Sequence, residues 1–290
     1  MTRRCAIYYF SGTGNTEHLV DLLAAEMSTR AYQVDTVKIE EVQRGRLPIS
    51  VDEYALIGIA HPVLGFDCPG LVYAFLESLP AARKPVFIMK SAGDYHAINY
   101  GSSKRAIRLL TNKGYDVFHD TLIPMPCNWL LSYDDRLNRA LVEAAAHRVK
   151  ALAASLLAGE RKELPCGPIA RRLLRGIGIL EDRYGARYFG KYLRAGKTCT
   201  YCGNCIKHCP SGNIAEVDGK IVFGGRCMWC MRCIYACPSK AIDNKYMNLF
   251  ILKGGYRLRR IQALPYEAID FSAKKLGMWY KYFRGYFQGT

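Results

Sequence analysis

Two blocks of four cysteines constrain this chain more than any other feature of its sequence. Each block follows the pattern C-x2-C-x2-C-x3-C-P, and the second repeats the first after 28 residues, as CTYCGNCIKHCP and then CMWCMRCIYACP. Three cysteines spaced three apart predict a short loop around one iron–sulfur cluster, and the fourth, before proline, reaches across to the other cluster. The doubled pattern therefore predicts two four-iron clusters.

Symmetry between the blocks predicts which cysteines share a cluster. For cluster I the predicted ligands are Cys199, Cys202, Cys205 and Cys237. For cluster II they are Cys227, Cys230, Cys233 and Cys209. Structural zinc is the alternative, but zinc normally takes two pairs of ligands rather than a triplet and a distant Cys-Pro, twice.

Eight of the twelve cysteines fall in these blocks, and the sequence begins without a recognisable secretory signal. A disulfide framework would not require this spacing, so metal ligation in a reducing compartment is favoured. We therefore expect a cytoplasmic protein.

Residues 198–245 closely resemble the two-cluster ferredoxins of bacteria. Between the two blocks, the segment SGNIAEVDGKIVF predicts a β-hairpin that turns at Asp218 and Gly219. The resemblance implies a small α+β domain that binds two [4Fe-4S] clusters.

Residues 1–160 alternate strand-like and helix-like segments. Five short apolar segments predict strands, at 4–10, 32–39, 54–60, 84–91 and 115–125. The amphipathic stretches between them predict helices at 16–30, 69–79, 103–114 and 134–158. Short apolar strands separated by amphipathic helices are typical of a parallel sheet covered on both faces, so we predict a five-stranded, doubly wound α/β domain.

The first strand runs into a loop rich in glycine and hydroxyl side chains. Its residues are Ser11, Gly12, Thr13, Gly14, Asn15 and Thr16. Backbone N–H groups at a helix start, with Ser and Thr hydroxyls, form a pocket for a phosphate, although the loop could also only cap the helix. Glu17 occupies the third glycine position of G-x-G-x-x-G, and the ATP-binding pattern G-x-x-x-x-G-K-[ST] is also not matched. The loop resembles the FMN phosphate loop of flavodoxins, which implies a flavodoxin-like fold and bound FMN.

In flavodoxin-like folds the flavin lies at the switch point of the sheet, between the loops after strands 3 and 4. The resemblance implies ring contacts after strand 3 from Pro62, Val63, Leu64, Gly65 and Phe66. After strand 4 it implies contacts from Ser91, Ala92, Gly93, Asp94, Tyr95, Asn99 and Tyr100. Tyr95 is the predicted stacking partner of the ring. The first loop lacks the Trp or Tyr common in flavodoxins, so Phe66 or Leu64 must serve, or one ring face stays open.

Several polar residues also lie near the expected flavin position, namely His61, His96, Asn99, Asn128 and Trp129. Ordinary loop packing explains such residues in most proteins. A substrate or proton site beside flavin N5 is the alternative. We predict no catalytic residue among them.

Two further segments complete the predicted domain organisation. Residues 161–197 form a basic segment that carries a helical apolar stripe of Ile169, Leu173, Ile177, Leu180, Tyr184, Tyr188 and Tyr192. Residues 246–290 form a basic, aromatic C-terminal extension. With a formal net charge of +16, the chain favours acidic partners or an anionic membrane surface. Nucleic-acid binding is a weaker alternative because no module signature accompanies the basic residues.

The whole chain resembles fused flavodoxin–ferredoxin proteins of anaerobic bacteria and archaea. The resemblance implies electron transfer between FMN, two [4Fe-4S] clusters and an external redox partner, which we expect to be acidic. The alternative is an FMN-dependent reductase of a small molecule or quinone that uses the clusters as its internal electron wire. The resemblance fixes neither the electron donor nor the acceptor.

Overall fold

The computed structural model describes residues 3–30, 32–271, 273 and 276–289. Its N-terminal half is built on a parallel five-stranded sheet in the order β2-β1-β3-β4-β5. The strands are β1 (Arg3–Tyr9), β2 (Tyr32–Lys38), β3 (Leu56–Pro62), β4 (Pro85–Ala92) and β5 (Asp116–Pro124). This is the strand order of flavodoxin-like doubly wound folds, and the predicted fold class is confirmed.

Helices cover both faces of this sheet. On one face lie α1 (Asn15–Ser28) and α5 (Asp135–Leu157). On the other lie α2 (Ile39–Gln43), α3 (Gly70–Ser78) and α4 (Lys104–Asn112), the last preceded by a 3₁₀ helix (Ala97–Ser103). Each face has its own hydrophobic core, which explains why the strands read as continuous apolar runs.

A helical segment leads from this domain to the cysteine region. It consists of α6 (Pro168–Leu180), a π-helical stretch (Glu181–Ala186) and α7 (Arg187–Lys191). The predicted helical stripe runs along it, although the side chain of Ile169 lies outside the described residues.

The cysteine region is a small α+β domain with two antiparallel strand pairs. Strand β6 (Leu193–Ala195) pairs with β9 (Ile242–Asn244), and β7 (Ile214–Val217) pairs with β8 (Lys220–Phe223). Two short helices, α8 (Asn204–His208) and α9 (Arg232–Tyr235), occupy equivalent places in the two cysteine blocks. The predicted hairpin is confirmed, since Asp218 and Gly219 turn the chain between β7 and β8 with φ of 49° and 69°.

The C-terminal extension returns to the N-terminal domain. A short 3₁₀ helix (Asn248–Phe250) precedes α10 (Leu258–Gln262) and α11 (Met278–Gln288). Leu258 of α10 joins the core beneath α1 and α5, and Phe283 of α11 packs against α5. The extension therefore completes the hydrophobic core of a domain that ends more than eighty residues before it. Positions 272, 274, 275 and 290 of the predicted extension lie outside the described residues.

Within the part of the chain that the structure describes, no helix is both long and apolar enough to cross a bilayer.

Candidate redox site

Each predicted cysteine quartet surrounds its own small cavity in the C-terminal domain. One cavity is lined by Cys209, Cys227, Cys230 and Cys233. The other is lined by Cys199, Cys202, Cys205 and Cys237. In both cavities the fourth cysteine comes from the opposite block, because the chain crosses between the two halves of the domain. The fold thus gathers the two predicted ligand sets at two separate points.

The backbone around the two cavities repeats with the same period as the sequence. Left-handed φ values of 53° at Tyr201 and 71° at Gly203 recur as 61° at Trp229 and 60° at Met231. The main-chain N–H groups of Asn213 and Ala241 donate to the sulfur atoms of Cys209 and Cys237, over 3.2 and 3.3 Å. Such N–H donors stabilise a thiolate ligand and tune the potential of a bound cluster.

The chemistry of these thiols fits iron ligation. Burial raises the pKa of Cys227 to about 12, and burial also raises the pKa of Cys230. For Cys237 burial is outweighed by hydrogen bonds from Ala241 and Ser239, and its pKa is lowered. A buried thiol ionises readily only when a cation replaces the lost hydration, and a metal centre supplies that cation.

The glycine-rich loop lies between the end of β1 and the start of α1, as predicted. Gly14 precedes the helix with φ of 100°, a conformation that favours glycine, and its N–H donates to Ser11 Oγ over 3.2 Å. The Thr16 hydroxyl pairs with the Ser91 hydroxyl at 2.8 Å, and the Asn128 amide donates to the Thr13 hydroxyl. Hydroxyl and N–H groups therefore converge at the helix N-terminus, in an arrangement that suits a phosphate.

The loop after β3 and the loop after β4 are held together at the carboxyl ends of their strands. The Val63 N–H donates to the Ser91 carbonyl over 2.8 Å. Leu64 and Asp67 pair across a tight turn whose central residues, Gly65 and Phe66, have φ of 56° and 59°. Pro62, the last residue of β3, thus leads directly into the predicted first ring loop.

The second loop is fixed by its own polar contacts. The Ala92 carbonyl accepts from the Met125 N–H, and the Gly93 carbonyl accepts from the Tyr133 hydroxyl, both over 2.8 Å. The Asn99 amide donates to the Asp94 carboxylate over 2.8 Å. Tyr100 also belongs to the predicted set, and its carbonyl oxygen accepts a hydrogen bond from the buried Lys90 amine over 3.2 Å.

The surroundings of Tyr95 differ from those expected of a flavin-stacking residue. Its ring lies 5.1 Å from that of Tyr282, 5.7 Å from that of Phe283 and 5.7 Å from that of Tyr286. Its hydroxyl donates to the Tyr282 carbonyl over 2.7 Å. The C-terminal helix α11 therefore engages the residue predicted to stack on the flavin, and sequence reasoning did not anticipate this contact.

The other polar residues near the loops fall into different roles. His96 caps the 3₁₀ helix by accepting from the Ile98 N–H over 3.2 Å. His61 is fully buried at the end of β3, and burial lowers its pKa to about 4. Its Nδ1 lies 3.0 Å from the Pro62 carbonyl oxygen, while its Nε2 is buried and finds no hydrogen-bond partner among the described residues.

An aromatic group gathers where the two domains meet. Trp129 stacks on Phe250 with ring centroids 4.9 Å apart, and Trp229 meets Trp129 edge-on at 5.3 Å. Within the described part of the chain, the indole nitrogens of both tryptophans are buried and have no hydrogen-bond partner. Buried N–H groups normally find an acceptor, so these two donors fit a ligand that carries carbonyl or ring-nitrogen acceptors, as a flavin does.

Glu181, in the π-helical stretch, adds a carboxyl group beside the first ring loop. Its side chain lies against Gly65, and burial raises its pKa. One of its oxygens, Oε2, is also buried, and no side chain that the structure describes pairs with it. Sequence reasoning missed Glu181 and Trp229 because neither belongs to a ring loop. Trp229 did carry a signal, since the equivalent position of the first block is also aromatic, Tyr201.

The glycine-rich loop and the second cysteine block are in direct contact. A Cβ atom on Gly12 would overlap the Cys230 carbonyl oxygen and lie 3.2 Å from the Cys230 Cβ. Arg232 reinforces this contact, because its guanidinium donates to the carbonyls of Ser11 and Gly12. The same guanidinium forms an ion pair of 2.7 Å with the buried Glu40.

Comparison with known proteins assigns the C-terminal domain. Residues 191–248 match the family model of the 4Fe-4S dicluster domain. No curated protein sequence matches the chain.

Among solved structures, the chain is similar to a flavodoxin from the domain Archaea, with 11% identity and a TM-score of 0.36, over 53% of this chain and 99% of that one. It is also similar to flavodoxin 2 from Bacillus cereus, with 18% identity and a TM-score of 0.38, over 53% of this chain and 98% of that one. A third similar structure is the NAD(P)H:quinone oxidoreductase from Methanothermobacter marburgensis, with 11% identity and a TM-score of 0.39, over 54% of this chain and 98% of that one.

The assignment of the N-terminal fold rests on the strand order of its sheet. Together with the family match of the cysteine region, that order identifies the chain as a flavodoxin-like α/β domain joined to a 4Fe-4S dicluster domain.

Proposed function

We propose that this protein transfers electrons between one FMN, two [4Fe-4S] clusters and an external redox partner. The observation that carries the proposal is the direct contact between Gly12 in the predicted phosphate loop and Cys230 in the second cysteine block. A bound flavin accepts electrons in pairs and releases them singly, whereas clusters carry one electron at a time. Contact between the two predicted binding sites suits a protein that couples these two kinds of transfer.

The residues that would hold the flavin belong to both domains. The phosphate would be held by the loop from Ser11 to Thr16 at the start of α1. For the ring, the unpartnered indole groups of Trp129 and Trp229 are stronger candidates than Tyr95, whose ring is engaged by α11. The ring-stacking role of Tyr95 stays a prediction.

The two predicted clusters differ in their surroundings, which suggests an order of transfer. The cluster II quartet contains Cys230, which touches the glycine-rich loop. The cluster I quartet contains Cys202, which is exposed, as is its neighbour Tyr201. We therefore assign cluster II to exchange with the flavin and cluster I to exchange with the partner.

The partner we infer is an acidic redox protein. Three exposed lysines, Lys197, Lys207 and Lys240, lie within three residues of a predicted cluster I cysteine in the sequence. A basic face near a cluster raises the association rate with an acidic partner, and added salt screens that attraction.

The alternative function, reduction of a small molecule or quinone at the flavin, needs a cavity that opens onto the flavin ring. A cavity of about 410 Å³ lies beside α1, lined among others by Gly12, Arg232 and Arg257. Its lining contains no residue of either predicted ring loop. This cavity borders the predicted phosphate loop and so gives no support to a substrate site on the flavin ring.

We infer a cytoplasmic location from the proposed ligation of the clusters by cysteine. The structure forms no disulfide among its twelve cysteines, all of which lie within the described residues. Iron–sulfur ligation requires reduced thiols, which a reducing compartment maintains.

Cofactor content gives the first test. Purified under anaerobic conditions and reconstituted, the protein should hold about eight iron and eight sulfide per chain and release FMN on acid treatment. Thr13→Ala combined with Thr16→Ala should weaken FMN binding, whereas Thr111→Ala, on the exposed side of α4, should not. Stoichiometric zinc with little sulfide, or FAD in place of FMN, would contradict the cofactor assignment.

Function is tested by anaerobic stopped-flow reduction with candidate redox proteins and with quinones. We expect rapid exchange with a redox protein at a rate that falls steeply as salt is added. Steady turnover of a quinone, with slow exchange to every redox protein, would favour the reductase instead.

A further inference from the structure

The segment from α6 to α7 has two sides that serve different purposes. On its inner side, Gly178 packs over Asp67 and the Gly65 carbonyl, and Phe189 is buried in the core of the cysteine domain. Gly185 lies against the Trp229 ring, which a Cβ atom would approach to 2.8 Å. This inner side already accounts for the packing of the segment onto both domains.

The outer side of the same segment is apolar and faces solvent. Leu173 and Leu180 in α6 are 66% and 59% exposed, and Tyr184 and Tyr188 are each 51% exposed. Apolar residues on the surface of a soluble protein normally occur singly, whereas these follow one another at helical spacing. Core packing therefore does not explain why these residues are apolar, and a binding function is expected.

The stripe continues onto the cysteine domain. The rings of Tyr188 and Tyr192 stack with centroids 6.4 Å apart, and Tyr246 meets Tyr192 edge-on at 4.8 Å. Tyr246 and Leu249 are themselves more than half exposed. We call this surface the tyrosine face, defined by Leu173, Leu180, Tyr184, Tyr188, Tyr192, Tyr246 and Leu249.

Basic side chains border the tyrosine face. Arg183, Arg187 and Lys191 alternate with its tyrosines along the sequence, and all three are exposed. In the described part of the chain none of the three forms an ion pair with a carboxylate. The carboxyl group of Glu181 points the other way, toward Gly65.

We propose that the tyrosine face binds the surface of an anionic membrane. A helix with exposed Leu and Tyr on one side and Arg and Lys at its border lies in the plane of the bilayer interface. Tyrosine suits the headgroup region because its ring is apolar and its hydroxyl is polar, and Arg and Lys attract anionic headgroups. The helical spacing of the apolar residues together with their basic border favours an anionic bilayer over an acidic protein as the occupant.

This proposal does not depend on the electron-transfer role. It concerns a surface on the outer side of α6 and α7, and neither predicted cluster quartet nor the glycine-rich loop contributes to it. Binding to lipid can therefore fail while electron transfer succeeds, and the reverse.

Vesicle flotation tests it with the reconstituted full-length protein under anaerobic conditions. We expect the protein to float with vesicles that contain phosphatidylcholine and phosphatidylglycerol. With vesicles of phosphatidylcholine alone, it should remain in the bottom fraction. Salt should weaken the binding, since it screens the basic side chains.

Two variants separate the apolar and the charged contributions. Tyr184→Ser with Tyr188→Ser should reduce binding several-fold at low salt. Each basic residue near an anionic surface contributes about 1 kcal/mol, or about fivefold, so Arg183→Glu should reduce binding about tenfold or more. Leu47→Ser with Arg108→Glu, both exposed and neither part of the tyrosine face, serves as the matched control and should bind normally.

Circular dichroism and iron content should be unchanged in all three variants. If a variant does not fold, the salt and lipid dependence of the wild-type protein still decides. Equal binding to neutral vesicles, no binding to anionic ones, or normal binding by the tyrosine variant would overturn the proposal. The proposal would also be overturned if the protein formed a dimer in solution that the tyrosine variant abolished. It would be overturned as well if the variants bound vesicles normally and lost only electron exchange with an acidic redox protein.

Discussion

The main chain of Gly12 lies against the main chain of Cys230, so closely that any side chain at position 12 would overlap the Cys230 carbonyl oxygen. Gly12 belongs to the loop predicted to bind a phosphate, and Cys230 belongs to the quartet predicted to bind cluster II. The two predicted cofactor sites therefore share a contact that depends on the absence of a single Cβ atom.

The first prediction follows from this contact. Gly12→Ala should push the two domains apart locally, because the added Cβ meets a main-chain oxygen, which cannot rotate away. We expect slower electron exchange between flavin and clusters, measured by anaerobic stopped-flow absorbance, with iron content unchanged. Gly254→Ala is the control, since a Cβ there meets no atom within 4 Å. An exchange rate equal to that of the wild type would mean that transfer does not use this contact.

A second prediction concerns Arg232, which donates to the Ser11 and Gly12 carbonyls and pairs with the buried Glu40. Arg232→Met leaves the Glu40 carboxylate buried without its partner, and we expect a loss of about 3 kcal/mol in the free energy of unfolding. Adding Glu40→Gln should recover part of that loss, because no buried charge then remains. Urea denaturation of the four proteins in this cycle measures both effects. Additive losses in the double variant would argue against the ion pair.

The third prediction tests how the blocks share their ligands. Cys209→Ala alters the first block, yet it should remove the same cluster as Cys230→Ala in the second, because both cysteines line one cavity. Cys237→Ala and Cys202→Ala should likewise both remove the other cluster, because both cysteines line the second cavity. Iron analysis and electron paramagnetic resonance of the reduced variants distinguish the two clusters. If the two variants of the same block gave matching spectra, and the two variants lining the same cavity did not, the crossed assignment would be wrong.

A fourth prediction concerns pH. Burial lowers the pKa of His61 from 6.5 to about 4, so between those values the unfolded chain binds a proton that the folded protein does not. Protonation then stabilises the unfolded chain, and the free energy of unfolding should fall as the pH drops from about 6.5 towards 4, by about 1.4 kcal/mol per pH unit at most. Above about pH 6.5 this contribution is fully present and constant.

Comparison with a variant isolates this effect from other titrations. The stability difference between the wild type and His61→Gln, measured by urea denaturation, should shrink between about pH 7 and pH 5. A pH-independent difference for His61 would mean that its ring has the same pKa in the folded and the unfolded protein.

The fifth prediction concerns the C-terminal extension. Phe283 is fully buried against α5, and its ring contacts those of Tyr95 and Tyr133. Phe283→Ala should therefore destabilise the N-terminal domain by about 3 kcal/mol or more, as expected for a large side chain lost from a core. Thermal unfolding measures the change, and Tyr266→Ala, whose ring is half exposed, is the control. A normal melting temperature for Phe283→Ala would show that the domain is stable without α11.

The sequence by itself determined the elements and the local chemistry of this protein. Strands predicted at 4–10 and 115–125 are found as Arg3–Tyr9 and Asp116–Pro124, because short apolar runs between amphipathic helices have few other ways to be buried. The cysteine quartets were predictable for a related reason. Their spacing repeats, and a repeated spacing produces a repeated backbone, seen in the φ values of Gly203 and Met231.

Only the tertiary structure decided how distant segments meet. Tyr95 was predicted to stack on the flavin, but its ring contacts three aromatic residues of α11, almost two hundred positions later in the chain. The aromatic composition of the extension was visible in the sequence, but not which aromatic rings would be buried. Phe283 is buried in a core, whereas Tyr184 and Tyr188 of the basic segment remain exposed. Periodicity identifies the side of a helix on which apolar residues gather, but the element that covers that side is set by long-range packing, which no local pattern records.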